Sequence, residues 1–119
     1  VKRLAAIVLA LAVPMFATAE EVSPADGVVI RTLDKMNGSV RDIELASREA
    51  VTIGRMEVTL GECRFPVGNP AGDAYAFLTI TEDGRDSPVF IGWMIASSPA
   101  LSAMDHPRYD VWVLRCITE

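Results

Sequence analysis

The sequence predicts an all-β domain, an antiparallel β-sandwich or partly closed barrel of about seven strands. Short runs rich in β-branched and aromatic residues recur from residue 27 onward, with turn signals between them at intervals of roughly eight to twelve residues. The apolar period of three to four that marks a helix is almost absent over the same span. One short helix near residues 98–105 is the expected exception, for reasons of capping given below.

The chain opens with "VKRLAAIVLALAVPMFATAE". Lys2 and Arg3 precede an apolar run from Leu4 to Val13, then Pro14 and the small-residue ending Ala17-Thr18-Ala19, which is the pattern of a secretory signal peptide over residues 1–19 with cleavage after Ala19. The run falls short of the roughly 20 apolar residues that a membrane span needs, and Pro14 interrupts it, so no transmembrane segment is expected after cleavage. Residues 20–26, "EEVSPAD", are acidic and without periodicity and read as a flexible leader, and residues 27–119 read as a single domain. The segment 1–19 carries two of the eleven basic residues and none of the sixteen acids, so the remainder has nine against sixteen, a net charge of −7. Such a domain repels nucleic acid and anionic lipid surfaces.

"GVVIRTL" is a first strand, "DKMNG" turns it through Asn37-Gly38, and "SVRDIEL" returns antiparallel. A short strand around Val51–Ile53 turns at Gly54 into a longer one, in which Met56, Val58 and Leu60 alternate with Arg55, Glu57 and Thr59. Unbroken alternation would point Cys63 outward, so a β-bulge at Gly61 is expected, returning Cys63 and Phe65 to the core face. Residues 66–73, "PVGNPAGD", form a loop. "AYAFLTITE" and "PVFIGWMIA", joined by "DGRDS", are apolar on both faces and are expected in the middle of the sheet. The last strand, "DVWVLRCI", places Trp112, Leu114 and Cys116 on one face and Val111, Val113 and Ile117 on the other. Cys63 and Cys116 are the two cysteines of a chain addressed to an oxidising compartment, and no C-x-x-C spacing suggests redox or metal work. A structural disulfide closing the 52 intervening residues would stabilise the fold by about 4 kcal/mol.

The segment "ASSPALSAMDHPRYDVW", residues 96–112, concentrates the residue types that do chemistry. Ser97 or Ser98 before Pro99 suits a helix start, because a serine hydroxyl accepts from free backbone N–H groups and proline at the first helical position has none to satisfy. "PALSAM" then makes one to two turns with Ala100, Leu101 and Met104 facing inward, and Asp105-His106-Pro107 ends it. Ser98, His106 and Asp110 supply the types of a hydrolytic triad, yet there is no G-x-S-x-G elbow and no glycine-rich oxyanion segment, and the cap would use the same hydroxyl. A lone histidine beside Asp105 and Asp110 is a poor metal site, and "TEDGRDSP", residues 81–88, lacks calcium-loop spacing, so Asp83-Gly84 reads as a hairpin turn. No catalytic residue, metal or cofactor is therefore expected. Trp93, sharing a face with Ile91 and Ile95, and Trp112 are expected in the core, whereas Tyr109 either pins the corner or lies exposed.

The run "GWMIASSPALSAMDHPRYDVWVLRC", residues 92–116, resembles the signature of the DUF2155 family, small exported proteins of alphaproteobacteria, and "RTLDKMNG" and "GRMEVTLGEC" fit the same family. The resemblance covers roughly residues 28–117. It implies an exported compartment and a fold but no reaction, and by association alone a tie to the respiratory NADH dehydrogenase. Its motif positions here are Trp93, Ser97, Ser98, Pro99, His106, Pro107, Tyr109, Asp110 and Trp112, with Cys63 and Cys116 standing where the family carries its pair.

The expected function is a non-enzymatic periplasmic binding or accessory module acting on another envelope protein or complex, through Ser97, Ser98, His106, Arg108, Tyr109 and Asp110. That requires His106, Arg108 and Tyr109 to form one solvent-facing patch. If they are buried and paired, the motif is folding information and the binding face lies elsewhere. The alternatives are a structural subunit of an inner-membrane, respiratory, assembly, which would present an unpaired β-edge, and a small envelope hydrolase, in which Ser98 and His106 would meet beside an open pocket.

Overall fold

The computed structural model describes residues 21–118. The expected signal peptide and its expected cleavage point lie outside the described residues. Eight strands run in the order β1 Val22–Pro24, β2 Gly27–Asp34, β3 Ser39–Ala46, β4 Ala50–Ile53, β5 Met56–Pro66, β6 Tyr75–Glu82, β7 Phe90–Ile95 and β8 Tyr109–Ile117. They form two packed antiparallel sheets, a β-sandwich. In one, β5 is flanked by β6 and then β7 on one side and by β1 and β4 end to end on the other; the second has the order β3-β2-β8. One strand more than expected is present because Val22–Pro24, within the anticipated flexible leader, pairs with Arg64–Pro66 as β1.

The expected alternation places the core. Val28, Ile30, Leu45, Val111 and Val113 of the three-stranded sheet face Met56, Val58, Leu60, Leu78, Ile80 and Met94 of the other, all buried. The β2–β3 hairpin turns where Asn37-Gly38 signals it, with Gly38 at φ 75° and the Asn37 side chain accepting from the Ser39 N–H at 2.9 Å. The β5–β6 register shifts between Leu60 and Cys63, the expected bulge, and Cys63 is fully buried while Phe65 packs against the core.

A second bulge overturns the expected facing of the last strand. The β2–β8 register passes from Val29↔Arg115 to Ile30↔Val113, so Leu114 is the extra residue and Cys116 joins Val111 and Val113 on the core side. The disulfide Cys63–Cys116 forms there, with 5.7 Å between Cα atoms, and ties β5 of one sheet to β8 of the other.

Two further expectations fail. Residues 98–105 are not helical; they make one turn, Leu101 N–H to Ser98 C=O at 3.0 Å, and then an extended path, so that Met104 is buried but Leu101 is 74% exposed. Fewer than ten residues between Pro99 and Pro107 cannot repay helix nucleation while the segment must also cross between sheets. Strand β7 is the edge of its sheet rather than its middle, and Trp93 and Ile91 face outward, 37% and 57% exposed. Apolar residues on both faces of a strand mark coverage only if something packs on both faces.

The disulfide spans 53 positions, for which the chain-entropy estimate is about 4 kcal/mol. The Cys63→Ser, Cys116→Ser double variant is expected to lose close to that amount in a urea titration against the oxidised protein. A loss below about 1 kcal/mol would refute the bridge as the principal staple.

Candidate functional site

The connection from β7 to β8 crosses from one sheet to the other and brings its polar residues into two separate knots. In the first, the Ser97 hydroxyl and N–H donate to Asp73 at 2.5 and 3.0 Å, and the Ala74 N–H donates to the same carboxylate at 2.9 Å. Burial works against the Asp73 charge, but these donors outweigh it and hold the carboxyl below its ordinary value. Ser97 thus fastens the end of β7 to the start of β6.

The second knot surrounds His106, which is 7% exposed. Its Nδ1 accepts the N–H of Arg108 at 3.0 Å and of Tyr109 at 3.1 Å, which leaves the proton on Nε2 to be donated to Glu82 at 2.5 Å. Lys35 donates from Nζ to the His106 carbonyl at 2.7 Å and lies 3.5 Å from Asp110. Tyr109 is 8% exposed, with its ring tilted against His106 and its hydroxyl beside Gly54, where a Cβ would overlap it; Gly54 also sits at φ 61°. Arg108 lies over the Tyr109 ring and pairs with Asp34 at 2.9 Å. The hydrogen bond from Arg108 holds the Asp34 carboxyl below its ordinary range. The knot binds β2, β6 and the start of β8 to the β4–β5 turn.

These contacts decide the chemistry. Both ring nitrogens of His106 are occupied by Glu82 and backbone, so none is left for Ser98, which lies exposed; the hydrolytic pair does not form. His106 and Tyr109 are buried, so the contiguous solvent-facing patch with Arg108 does not form either. Ser97, Lys35 and Asp110 are engaged in the same scaffolding. Among the described residues no three His, Cys, Asp or Glu side chains converge as a metal site would require.

The candidate functional surface is instead the outer face of β5, β6 and β7. Phe77 and Trp93, directly paired across β6 and β7, meet edge to face at 5.4 Å, and Arg64 stacks on Trp93 at 5.1 Å from the ring centroid. Glu62 pairs with Arg64, so the cation is neutralised. Beside them Val22, Arg64, Tyr75, Trp93 and Ile95 line an open, largely apolar groove of about 330 Å³. Sequence reading missed this surface by placing Trp93 in the core. A usable signal was present, because residues 87–104 carry no charge at all in a chain that is 23% charged.

Three comparisons bear on identity. A family model described as "Uncharacterized protein conserved in bacteria (DUF2155)" matches residues 28–116. The uncharacterized protein RP359 of Rickettsia prowazekii (strain Madrid E) is 30% identical over 102 residues, covering 83% of this chain and 65% of that protein. The chain thus spans about 65% of the length of this curated relative. No solved structure matches.

Removing the His106 ring strands two backbone donors and the Glu82 carboxylate. His106→Ala is expected to cost about 2–4 kcal/mol in chemical denaturation, whereas Ser98→Ala should stay within about 0.5 kcal/mol of wild type. A cost at Ser98 equal to that at His106 would contradict the assignment of roles. Asp34 and Asp73 have folded values below the unfolded carboxylate value of roughly 3.9, so their stabilisation is complete above that pH and disappears as the pH falls through the lower folded values. Asp73→Asn should therefore be less stable at neutral pH and lose less stability than wild type on acidification below about pH 4. Parallel acid titrations of the two proteins would show the opposite if Asp73 were unpaired.

Proposed function

The chain belongs to the DUF2155 family, and from that premise and the geometry of its outer face we propose that it is a non-enzymatic periplasmic accessory module that binds another envelope protein. One observation carries the reading. The residues suited to chemistry are used inside the fold, at Asp73–Ser97 and Glu82–His106, while Trp93 stands exposed on the outer face beside an apolar groove, with the half-buried Phe77 ring packed edge to face against it. Clustered exposed aromatic and arginine side chains are what protein interfaces use as anchors. The periplasmic address is supported by the leader pattern of residues 1–19 and by the inter-sheet disulfide, which suits an oxidising compartment.

A second reading, a structural subunit of an inner-membrane assembly, is favoured by a different observation: β7, the strand that carries Trp93, is an edge with no strand partner on its outer side among the described residues. The two readings share a surface and differ in permanence. An accessory module exchanges, and a structural subunit co-purifies stoichiometrically.

The test is recovery of a partner from detergent-solubilised envelopes by the oxidised protein, compared with Trp93→Ala and Phe77→Ala variants of equal thermal stability. Loss of a central aromatic anchor corresponds to about 2 kcal/mol or more, roughly a thirtyfold weakening. Equal recovery by wild type and both variants would remove the outer face from consideration. Recovery of no partner by the wild type would count against the module reading itself.

A further inference from the structure

We propose that β7 is a dimerisation edge, pairing antiparallel with β7 of a second copy of this chain. The inference goes beyond the accessory reading, since it rests on the backbone of the strand rather than on what its aromatic face holds.

The ladder to β6 fixes which backbone groups are free. Ala96 N–H donates to Ala74 C=O at 2.9 Å, and the register continues through Ala76↔Met94 and Leu78↔Gly92. Antiparallel pairing alternates residue by residue, so the N–H and C=O groups of Ile91, Trp93 and Ile95 point away from β6. Among the described residues the one bond made to them from beyond the ladder is Ser98 N–H to Ile95 C=O at 3.1 Å.

The other edges are protected in ways that β7 is not. On β3, Arg41, Asp42 and Glu44 are exposed, and Asp42 is held by Arg31 on β2. Alongside β8 runs the 96–108 connection, whose Pro99, Ala100 and Met104 wall a groove with Val111 and Trp112. Strands β1 and β4 have only three and four residues. Strand β7 has six residues with no proline, no charge and no register shift, which are the devices that normally blunt an edge.

Charge selects the occupant. The chain carries a net charge of −5, so most approaches of one copy to another are repulsive, but residues 87–104 are uncharged and two such strips can meet without desolvating an ion. An antiparallel pairing centred on Trp93 sets each Ile91 against the second copy's Ile95 and each Trp93 against its own equivalent, all apolar and all on the outer face. The arrangement is two-fold and closes on itself, so it stops at a dimer. It also joins the two aromatic faces into one.

The test is sedimentation velocity on the oxidised protein from about 1 µM to about 1 mM, the range in which a weak dimer becomes populated. Ile91→Pro removes an outward N–H on an edge, where proline is tolerated, and Ile91→Lys adds the charge that edges ordinarily carry. The expected result is a concentration-dependent dimer in the wild type, no dimer in Ile91→Pro, and at least tenfold weaker association in Ile91→Lys, with unchanged far-UV spectra. If Ile91→Pro does not fold, Ile91→Lys alone decides. A wild type that stays monomeric throughout overturns the proposal, as does a dimer that persists undiminished in the lysine variant. Phe77→Ala lies on β6 and alters neither the edge backbone nor the side chains paired across the dimer, so loss of envelope-partner recovery in that variant while it still dimerises separates the two interfaces.

Discussion

The phase of two strands governs this structure. A strand turns its side chains to alternate faces, and both cysteines would miss the inter-sheet space if β5 and β8 kept strict alternation. One extra residue in each, in the Leu60–Cys63 stretch and at Leu114, returns Cys63 and Cys116 to the core and lets the bridge close between the sheets. The same bulges coil the strands locally, which helps a small sandwich wrap around one core. A domain of about one hundred residues has limited apolar area to bury, and a covalent tie between its layers compensates for that.

The polar corner does for the open end of the sandwich what the disulfide does for its interior. His106 satisfies two backbone donors with one nitrogen and Glu82 with the other, and Lys35 caps its carbonyl. A connection that crosses between sheets has no ladder to satisfy its backbone, so side chains must supply the partners. His106 is used in that way, and so is Asp73 with Ser97, whereas Ser98 stays exposed. Gly54 belongs to the same knot, because only a residue without Cβ leaves room for the Tyr109 hydroxyl.

The proposed binding role falls on the surface left over. The outer face of β5–β7 combines an aromatic pair, a neutralised arginine and an apolar groove with an edge strand that lacks charge, proline or bulge. Side chains on that face suit a partner protein, and the edge backbone suits another strand. These are separable properties of one strand, β7, and the uncharged run 87–104 supports both.

Sequence alone determined the fold class, the β2–β3 hairpin at Asn37-Gly38, the bulge after Leu60 and the membership of most of the core, because turn chemistry and two-residue alternation are local properties. It also identified the cysteine pair and the residues of the 96–110 motif. Only the tertiary structure decided that β7 is an edge, that Trp93 faces out and that His106 faces in. Apolar composition states that a strand can be covered on both faces; whether a neighbour exists to cover it depends on sheet order, which is set by contacts distant in sequence. The bulge at Leu114 was hidden for the same reason, since no glycine marks it and only the pairing with β2 reveals the extra residue. The expected helix at 98–105 failed because capping signals are local while the path between two sheets is not.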